Sequence, residues 1–257
     1  LNTILEKMKK LLLSAFVICL AGTSIAQESP LWMRHCALSP DGTTIAFTYK
    51  GDIYTVPSTG GRATQITTNP AFDTEPVWSP DSKQIAFASD RMGSLDVFVV
   101  SSEGGAPQRL TTHSGSEKPV AYKDNKHILF TANIAPSAED AGFPSGQFQQ
   151  VYEVAVTGGR PAMFSSMPME CISINKEGVM LYQDKKGYED YWRKHQVSPI
   201  ARDIWTYTPG KKPVYQKQTT FGGEDREPVW SPDGKSFYYL SEEKGSFNIF
   251  QRTPGTT

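Results

Sequence analysis

The sequence predicts an all-β protein, a β-propeller of four-stranded blades. Two observations lead to this fold class: a short motif that recurs along the chain, and apolar strands that follow each copy of it. Ser-Pro-Asp-Gly at 39–42 returns as Ser-Pro-Asp-Ser at 79–82 and as Ser-Pro-Asp-Gly at 231–234. Repeats of about 40 residues with several short strands are typical of propeller blades, because one blade cannot bury both of its faces alone.

Each repeat contains four strands in a fixed order. Proline presets the backbone for the first turn, glycine accepts the positive φ that the turn requires, and the aspartate caps its own backbone. Apolar strands follow at 45–47, 85–87 and 237–239, and the third strands begin at 52, 96 and 248. Residues on both faces of the second strands are apolar, which fits a sheet packed between two neighbours.

The repeat spacing divides residues 27–257 into five blades. Their expected bounds are about 31–73, 74–115, 116–166, 167–224 and 225–257. The third and fourth blades have weaker turns, at 123–125 and 176–178, whose residue types still favour turns. The fifth blade is expected to be incomplete, in a parent ring of six blades with uncovered apolar faces beside the gap.

The first 26 residues are predicted to be a secretory signal peptide, with 1–7 as an upstream extension. Met8-Lys9-Lys10 supplies the positive start, and the apolar run at 11–21 is followed by small residues at 24–26. Cleavage is expected near Ala26-Gln27, which would place the mature chain in the periplasm or outside the cell. A membrane anchor is the alternative, but it needs about 20 apolar residues.

Charge and residue usage exclude several kinds of site. The 26 Lys and Arg residues balance 27 Asp and Glu residues, so we expect no nucleic-acid partner. The four histidines are scattered, so we expect no metal and no other cofactor. Cys36 and Cys171, the two cysteines that remain after cleavage, are expected to be free thiols. A Gly-x-Ser-x-Gly nucleophile motif does not occur, so no catalytic residues are predicted in this chain.

The repeat motif resembles that of a known family. Pro-Val-Trp-Ser-Pro-Asp at 76–81, followed by Ile-Ala-Phe-Ala-Ser-Asp-Arg at 85–91, resembles the propeller repeat of TolB and tricorn proteins. Leu-Trp-Met-Arg at 31–34, Phe-Pro-Ser-Gly at 143–146 and the segment 182–205 resemble the first propeller of secreted bacterial tricorn-type serine peptidases. The resemblance runs from about residue 30 to the end, and the repeat alone indicates fold rather than function.

This resemblance implies a non-catalytic propeller segment of a larger serine endopeptidase. In that family the first propeller is thought to guide peptides, and a second propeller, a PDZ-like module and the peptidase core follow it. The implied role is to guide or gate peptides or unfolded polypeptide, and to dock to those downstream domains. The alternatives are a stand-alone periplasmic TolB-like interaction propeller and the propeller of a prolyl-oligopeptidase-like exopeptidase. A homo-oligomer remains open.

Five residues are candidates for channel or peptide contacts. Asp73 and Asp225 stand at the entry to the innermost strand of their blades, where they would either line the channel or be solvated. Trp192, Arg193 and His195 lie in the least blade-like segment, 188–195. An aromatic and cationic surface of this kind suits peptide or domain contact, and a rim loop is the alternative reading.

Overall fold

Antiparallel β-strands account for the regular structure of this protein, as described by a computed structural model. The structure describes residues 32–134, 148–187 and 197–255. From Met33 onward the chain forms one compact unit, and the described parts of it contain no helix. The predicted all-β class is confirmed.

Nineteen strands in the described residues form five sheets, each a meander in chain order. The first blade contains β1 (Arg34–Leu38), β2 (Thr44–Tyr49), β3 (Asp52–Pro57) and β4 (Thr64–Gln65), and the second contains β5 (Asp73–Trp78), β6 (Gln84–Ser89), β7 (Asp96–Ser101) and β8 (Gln108–Arg109). The third blade contains β9 (Lys118–Asp124), β10 (His127–Ala132), β11 (Gln150–Ala155) and β12 (Ala162–Ser165). The fourth contains β13 (Met169–Ile174), β14 (Met180–Asp184), β15 (Ile204–Thr208) and β16 (Val214–Lys217), and the fifth contains β17 (Asp225–Trp230), β18 (Phe237–Ser241) and β19 (Asn248–Arg252).

The recurring Ser-Pro-Asp motif forms the turn between the first and second strands, as predicted. In the second blade the buried Ser79 hydroxyl donates to Asp81 at 2.7 Å and accepts from the backbone N–H of Gln84 at 2.9 Å. The Asp81 carboxylate accepts from the N–H of Lys83 at 3.2 Å. Asp41 and Asp233 make the equivalent bonds in their own turns, so these aspartates recur because the turn does.

Threonines close the outer edge of three blades. Thr67, Thr111 and Thr219 follow the fourth strand, and their hydroxyls accept from the backbone N–H of the first or second residue of the third strand. The distances are 3.0, 2.9 and 3.1 Å. These buried hydroxyls satisfy amides that would otherwise lack a partner, because the fourth strands β4 and β8 are only two residues long.

Each pair of successive blades shares one apolar cluster. The small or branched side chains of one blade meet the large side chains of the next, as Ala46 and Ile53 meet Trp78 and Phe87. Phe130 and Ile128 of the third blade likewise pack on Val97 of the second. Similar clusters join the third blade to the fourth and the fourth to the fifth. The repeat therefore packs its apolar faces in series, as a propeller requires.

The motif tryptophans add a polar link between blades. The indole N–H of Trp78 donates to the carbonyl of Ala37 in the preceding blade at 3.0 Å. Trp230 does the same to the carbonyl of Val179 at 3.1 Å. A buried indole needs such an acceptor, so each tryptophan sets the position of its blade against the one before it.

The fifth blade has an uncovered apolar face. Its sheet has three strands, and Val229, Tyr238 and Ile249 on its outer face are 56%, 40% and 75% exposed. The corresponding second-blade residues Val77 and Ala86 pack against the third blade. The observed architecture is thus four four-stranded blades and one three-stranded blade within the described residues.

Candidate functional site

A cavity of about 460 Å³ opens among the first strands of four blades. Each of these strands, β1, β5, β9 and β13, contacts the first strand of the next blade, so together they surround the propeller axis. Residues from all four line the cavity, including His35, Glu75, Lys118 and Cys171. This axial cavity is the candidate site.

A β-bulge at the same place in each first strand shapes the cavity wall. The register of the first strand against the second shifts in all five blades. In four of them a bulge residue has left-handed backbone: His35 (φ 50°), Glu75 (φ 55°), Cys171 (φ 52°) and Glu227 (φ 54°). That conformation costs a non-glycine residue about 1–2 kcal/mol. Strain repeated around one axis is typical of a functional site, because bulges re-aim side chains.

Two ion pairs lie on the wall of the axial cavity. Lys118 Nζ lies 2.7 Å from Glu75, and Lys185 Nζ lies 2.9 Å from Glu170. Arg202 joins Glu170 at 3.2 Å and Glu224 at 2.6 Å. Burial acts to raise the pKa of Glu170, but hydrogen bonds from Lys185 and Gln183 outweigh it, so the pKa lies below its ordinary value. Glu170 is therefore ionised and held in place.

Both described cysteines line the same cavity. Cys36 and Cys171 are free, as predicted, and both are exposed. Cys171 opens onto the cavity yet has protein on most sides, and this burial raises its pKa to about 12, with the charges of Glu227 and Glu170 adding to the effect. The Cys171 thiol is consequently protonated at neutral pH and a poor nucleophile.

Asp73 is buried at the junction of the first and second blades. Its side chain is 0% exposed, and one guanidinium nitrogen of Arg91 lies 3.0 Å from both carboxylate oxygens. Arg91 also stacks over Phe98, 4.5 Å from the ring centroid. The residues of this strand that reach the axial cavity are Glu75, Pro76 and Val77, which follow Asp73 by two to four positions.

Asp225 occupies the same position in the fifth blade but has a different environment. Asp73 pairs with Ser89 across the sheet, and Asp225 pairs with Ser241. The residue corresponding to Arg91 is Glu243, two positions after Ser241. Within the described parts of the chain, neither oxygen of Asp225 has a hydrogen bond of good geometry, and the residue is 1% exposed.

Burial raises the pKa of Asp225 to about 6. The Ser241 and Thr219 hydroxyls lie close enough to oppose this shift in part, the charge of Asp203 adds to it, and Arg252 opposes it weakly. Asp225 is thus a buried carboxyl group between the fourth and fifth blades that titrates near neutral pH.

The three remaining candidates, Trp192, Arg193 and His195, lie outside the described residues. The segments on either side are fixed by ion pairs. Lys186 Nζ contacts Asp203 at 2.5 Å, and Lys185 and Arg202 both contact Glu170.

The described ranges contain no group of three or more His, Cys, Asp or Glu side chains that could hold a metal ion. In those same ranges no helix is long and apolar enough to span a membrane.

Sequence reasoning missed the bulge residues. Glu75 and Glu227 stand in the recurring Glu-Pro pairs at 75–76 and 227–228, and this recurrence was the available signal. His35 and Cys171 share the bulge geometry but not the Glu-Pro pair, so only the backbone identifies them.

Comparisons with known proteins agree with this architecture. The family model described as the tricorn protease N-terminal beta propeller domain matches residues 30–257. Tricorn protease homolog 1 of Streptomyces coelicolor is 39% identical over 213 residues, which cover 82% of this chain and 19% of that protein. The chain thus spans about a fifth of the length of this relative.

Two solved structures share the fold. The crystal structure of the tricorn protease superposes with a TM-score of 0.70 at 17% identity, covering 89% of this chain and 22% of that one. A putative TolB from Agrobacterium tumefaciens superposes with a TM-score of 0.65 at 16% identity, covering 87% of this chain and 76% of that one.

Proposed function

Because this chain belongs to the tricorn protease N-terminal β-propeller family, we propose that it is a non-catalytic propeller of a longer serine peptidase. Its role is to admit peptides or unfolded polypeptide to the axial cavity and to dock to a second propeller, a PDZ module and a peptidase domain. The observation that carries this proposal is the bulge repeated around the axis, which turns His35, Glu75 and Cys171 toward one cavity.

The cavity suits a short stretch of extended polypeptide. Its volume of about 460 Å³ lies within the range of pockets that bury most of a small ligand. Its wall combines apolar side chains such as Val77, Val120 and Met169 with polar and charged ones, so it offers both apolar and hydrogen-bonding contacts to a ligand.

Protection of Cys36 from alkylation tests whether peptides enter. Cys36 lines the cavity and is exposed, so a peptide bound there should slow its reaction with a small maleimide. Mass spectrometry would measure labelling at increasing concentrations of a blocked tetrapeptide. The same incubation should leave the peptide uncleaved. Unchanged labelling with every peptide would reject entry, and cleavage abolished by a serine substitution in this chain would reject the non-catalytic role.

A periplasmic or secreted location is part of the proposal. It is supported by the sequence pattern of residues 1–26, with cleavage near Ala26-Gln27. Sequencing the N-terminus of the exported protein tests it: a start near Gln27 is expected, and an intact protein in the cytoplasmic fraction would reject it.

A stand-alone interaction propeller is the second candidate. The structural match to the putative TolB covers most of that chain, 76%, and favours this alternative. Co-purification from the native cell distinguishes the two, because a tricorn-type propeller should be recovered covalently continuous with a peptidase. Recovery with separate protein chains and no peptidase activity would favour the TolB-like role.

A further inference from the structure

The charged side chains on the wall of the axial cavity already have partners. The Lys and Glu residues that line it form two pairs, Lys118 with Glu75 and Lys185 with Glu170. The second pair is reinforced by Arg202. Each carboxylate therefore faces a cation of the wall itself, and the wall carries little net charge from these four residues.

The rest of the lining is uncharged apart from His35: six of its residues are apolar, and Thr131 and Gln149 are polar. Pro76, Pro119 and Pro168 have no backbone N–H to offer a ligand. Val77 and Val120 lie beside them. A charged side chain that enters this cavity loses water and finds the opposite charges engaged, and such desolvation is costly when no partner replaces the water. An uncharged side chain loses much less.

We propose that the axial cavity selects peptide segments whose side chains carry no charge. This inference rests on the proposed function, because it presumes that peptides enter the cavity. Selection arises from the internal pairing of the wall, so removing one member of a pair should change which peptides bind.

The Glu75–Lys118 pair gives the sharpest test. Lys118→Met removes the cation and leaves Glu75 free to accept a lysine of the ligand. Glu75→Gln does the reverse and leaves Lys118 free for a glutamate. Lys123→Met is the matched control: Lys123 also pairs at 2.7 Å, with Glu153, is similarly exposed, and does not line the cavity.

The experiment uses the full chain and three blocked peptides, acetyl-Ala-Xaa-Pro-Ala-amide with Val, Glu or Lys at Xaa. The readout is the peptide concentration that halves maleimide labelling of Cys36. In the unsubstituted protein the Val peptide should act at a concentration about tenfold lower than the Glu or Lys peptide. Lys118→Met should lower the half-protecting concentration of the Lys peptide about tenfold, and Glu75→Gln should lower that of the Glu peptide by a similar factor. Lys123→Met should change neither concentration.

The possible failures can be told apart. Charged peptides that protect the unsubstituted protein as well as the Val peptide would overturn the selectivity while leaving peptide entry intact. If Lys118→Met and Lys123→Met gave the same half-protecting concentrations, and Glu75→Gln changed none of them, the selectivity would not originate in the Glu75–Lys118 ion pair. If no peptide protected Cys36 in any variant, both this inference and the proposed function would fail.

Discussion

Replacing Asp225 by asparagine should stabilise the protein more at neutral pH than at acidic pH. The quantity compared is the free energy of unfolding of the variant minus that of the unsubstituted protein. Asp225 is buried between the fourth and fifth blades, and burial raises its pKa from the ordinary value of 3.8 to about 6. The folded state therefore favours the protonated acid, and above pH 6 it must hold a buried carboxylate. Asparagine has nearly the same shape and cannot ionise.

The magnitude follows from the two pKa values. Each pH unit between the folded and unfolded pKa corresponds to about 1.4 kcal/mol, so a separation of roughly two units amounts to about 3 kcal/mol. Because the folded pKa is raised, the contribution to stability is complete below about pH 4, the unfolded pKa, and is lost as the pH rises through 6. The stability of Asp225→Asn minus that of the unsubstituted protein should therefore rise by about 3 kcal/mol between about pH 3 and pH 7.5.

Urea denaturation at several pH values measures this difference. Any constant effect of the asparagine amide cancels, because only the change with pH is compared. Asp73→Asn is the matched control. It lies at the same position of its blade but removes the partner of Arg91, so it should destabilise by about 3 kcal/mol. Parallel stability curves for Asp225→Asn and the unsubstituted protein across this pH range would refute the reasoning.

Three further outcomes are expected. Phe130→Ala should lower the free energy of unfolding by about 3–5 kcal/mol in urea denaturation, because the ring is fully buried between two blades; a loss below 1 kcal/mol would contradict the packing. Ser79→Ala should raise the pKa of Asp81 in NMR titration, because the Ser79 hydrogen bond is the largest cause of its lowered pKa; an unchanged pKa would argue against that bond. Cys171 should react with iodoacetamide far more slowly than Cys36 at pH 7.5 by mass spectrometry, because its pKa is raised to about 12; equal rates would contradict the raised pKa.

The turns and the blade order could be predicted because their causes lie within a few residues. Asp81 and Ser79 stand two positions apart and satisfy the same turn, so the motif alone predicts the geometry. The packing of the strand that contains Phe87 is likewise readable from the sequence, because residues on both faces of that strand are apolar. Such local signals repeat, and comparison of the repeats reinforces them.

The environments of Asp73 and Asp225 could not be predicted because their causes are distant. Both stand in the same motif, yet Arg91, 18 residues further along, neutralises the first. The corresponding position near the second holds Glu243. The left-handed backbone of Cys171 was equally hidden, since cysteine does not favour it. Pairing between neighbouring strands of one blade, rather than the pattern within a few residues, decides these features.

The pairing of apolar clusters between successive blades has a consequence for how the protein can evolve. Among the described residues each cluster joins two neighbouring blades, so a substitution in one wall of the cavity disturbs the adjacent blade and little beyond it. The opposite wall keeps its geometry. The residue at a single bulge, such as His35 or Cys171, can accordingly be replaced without rebuilding the ring of first strands that carries it.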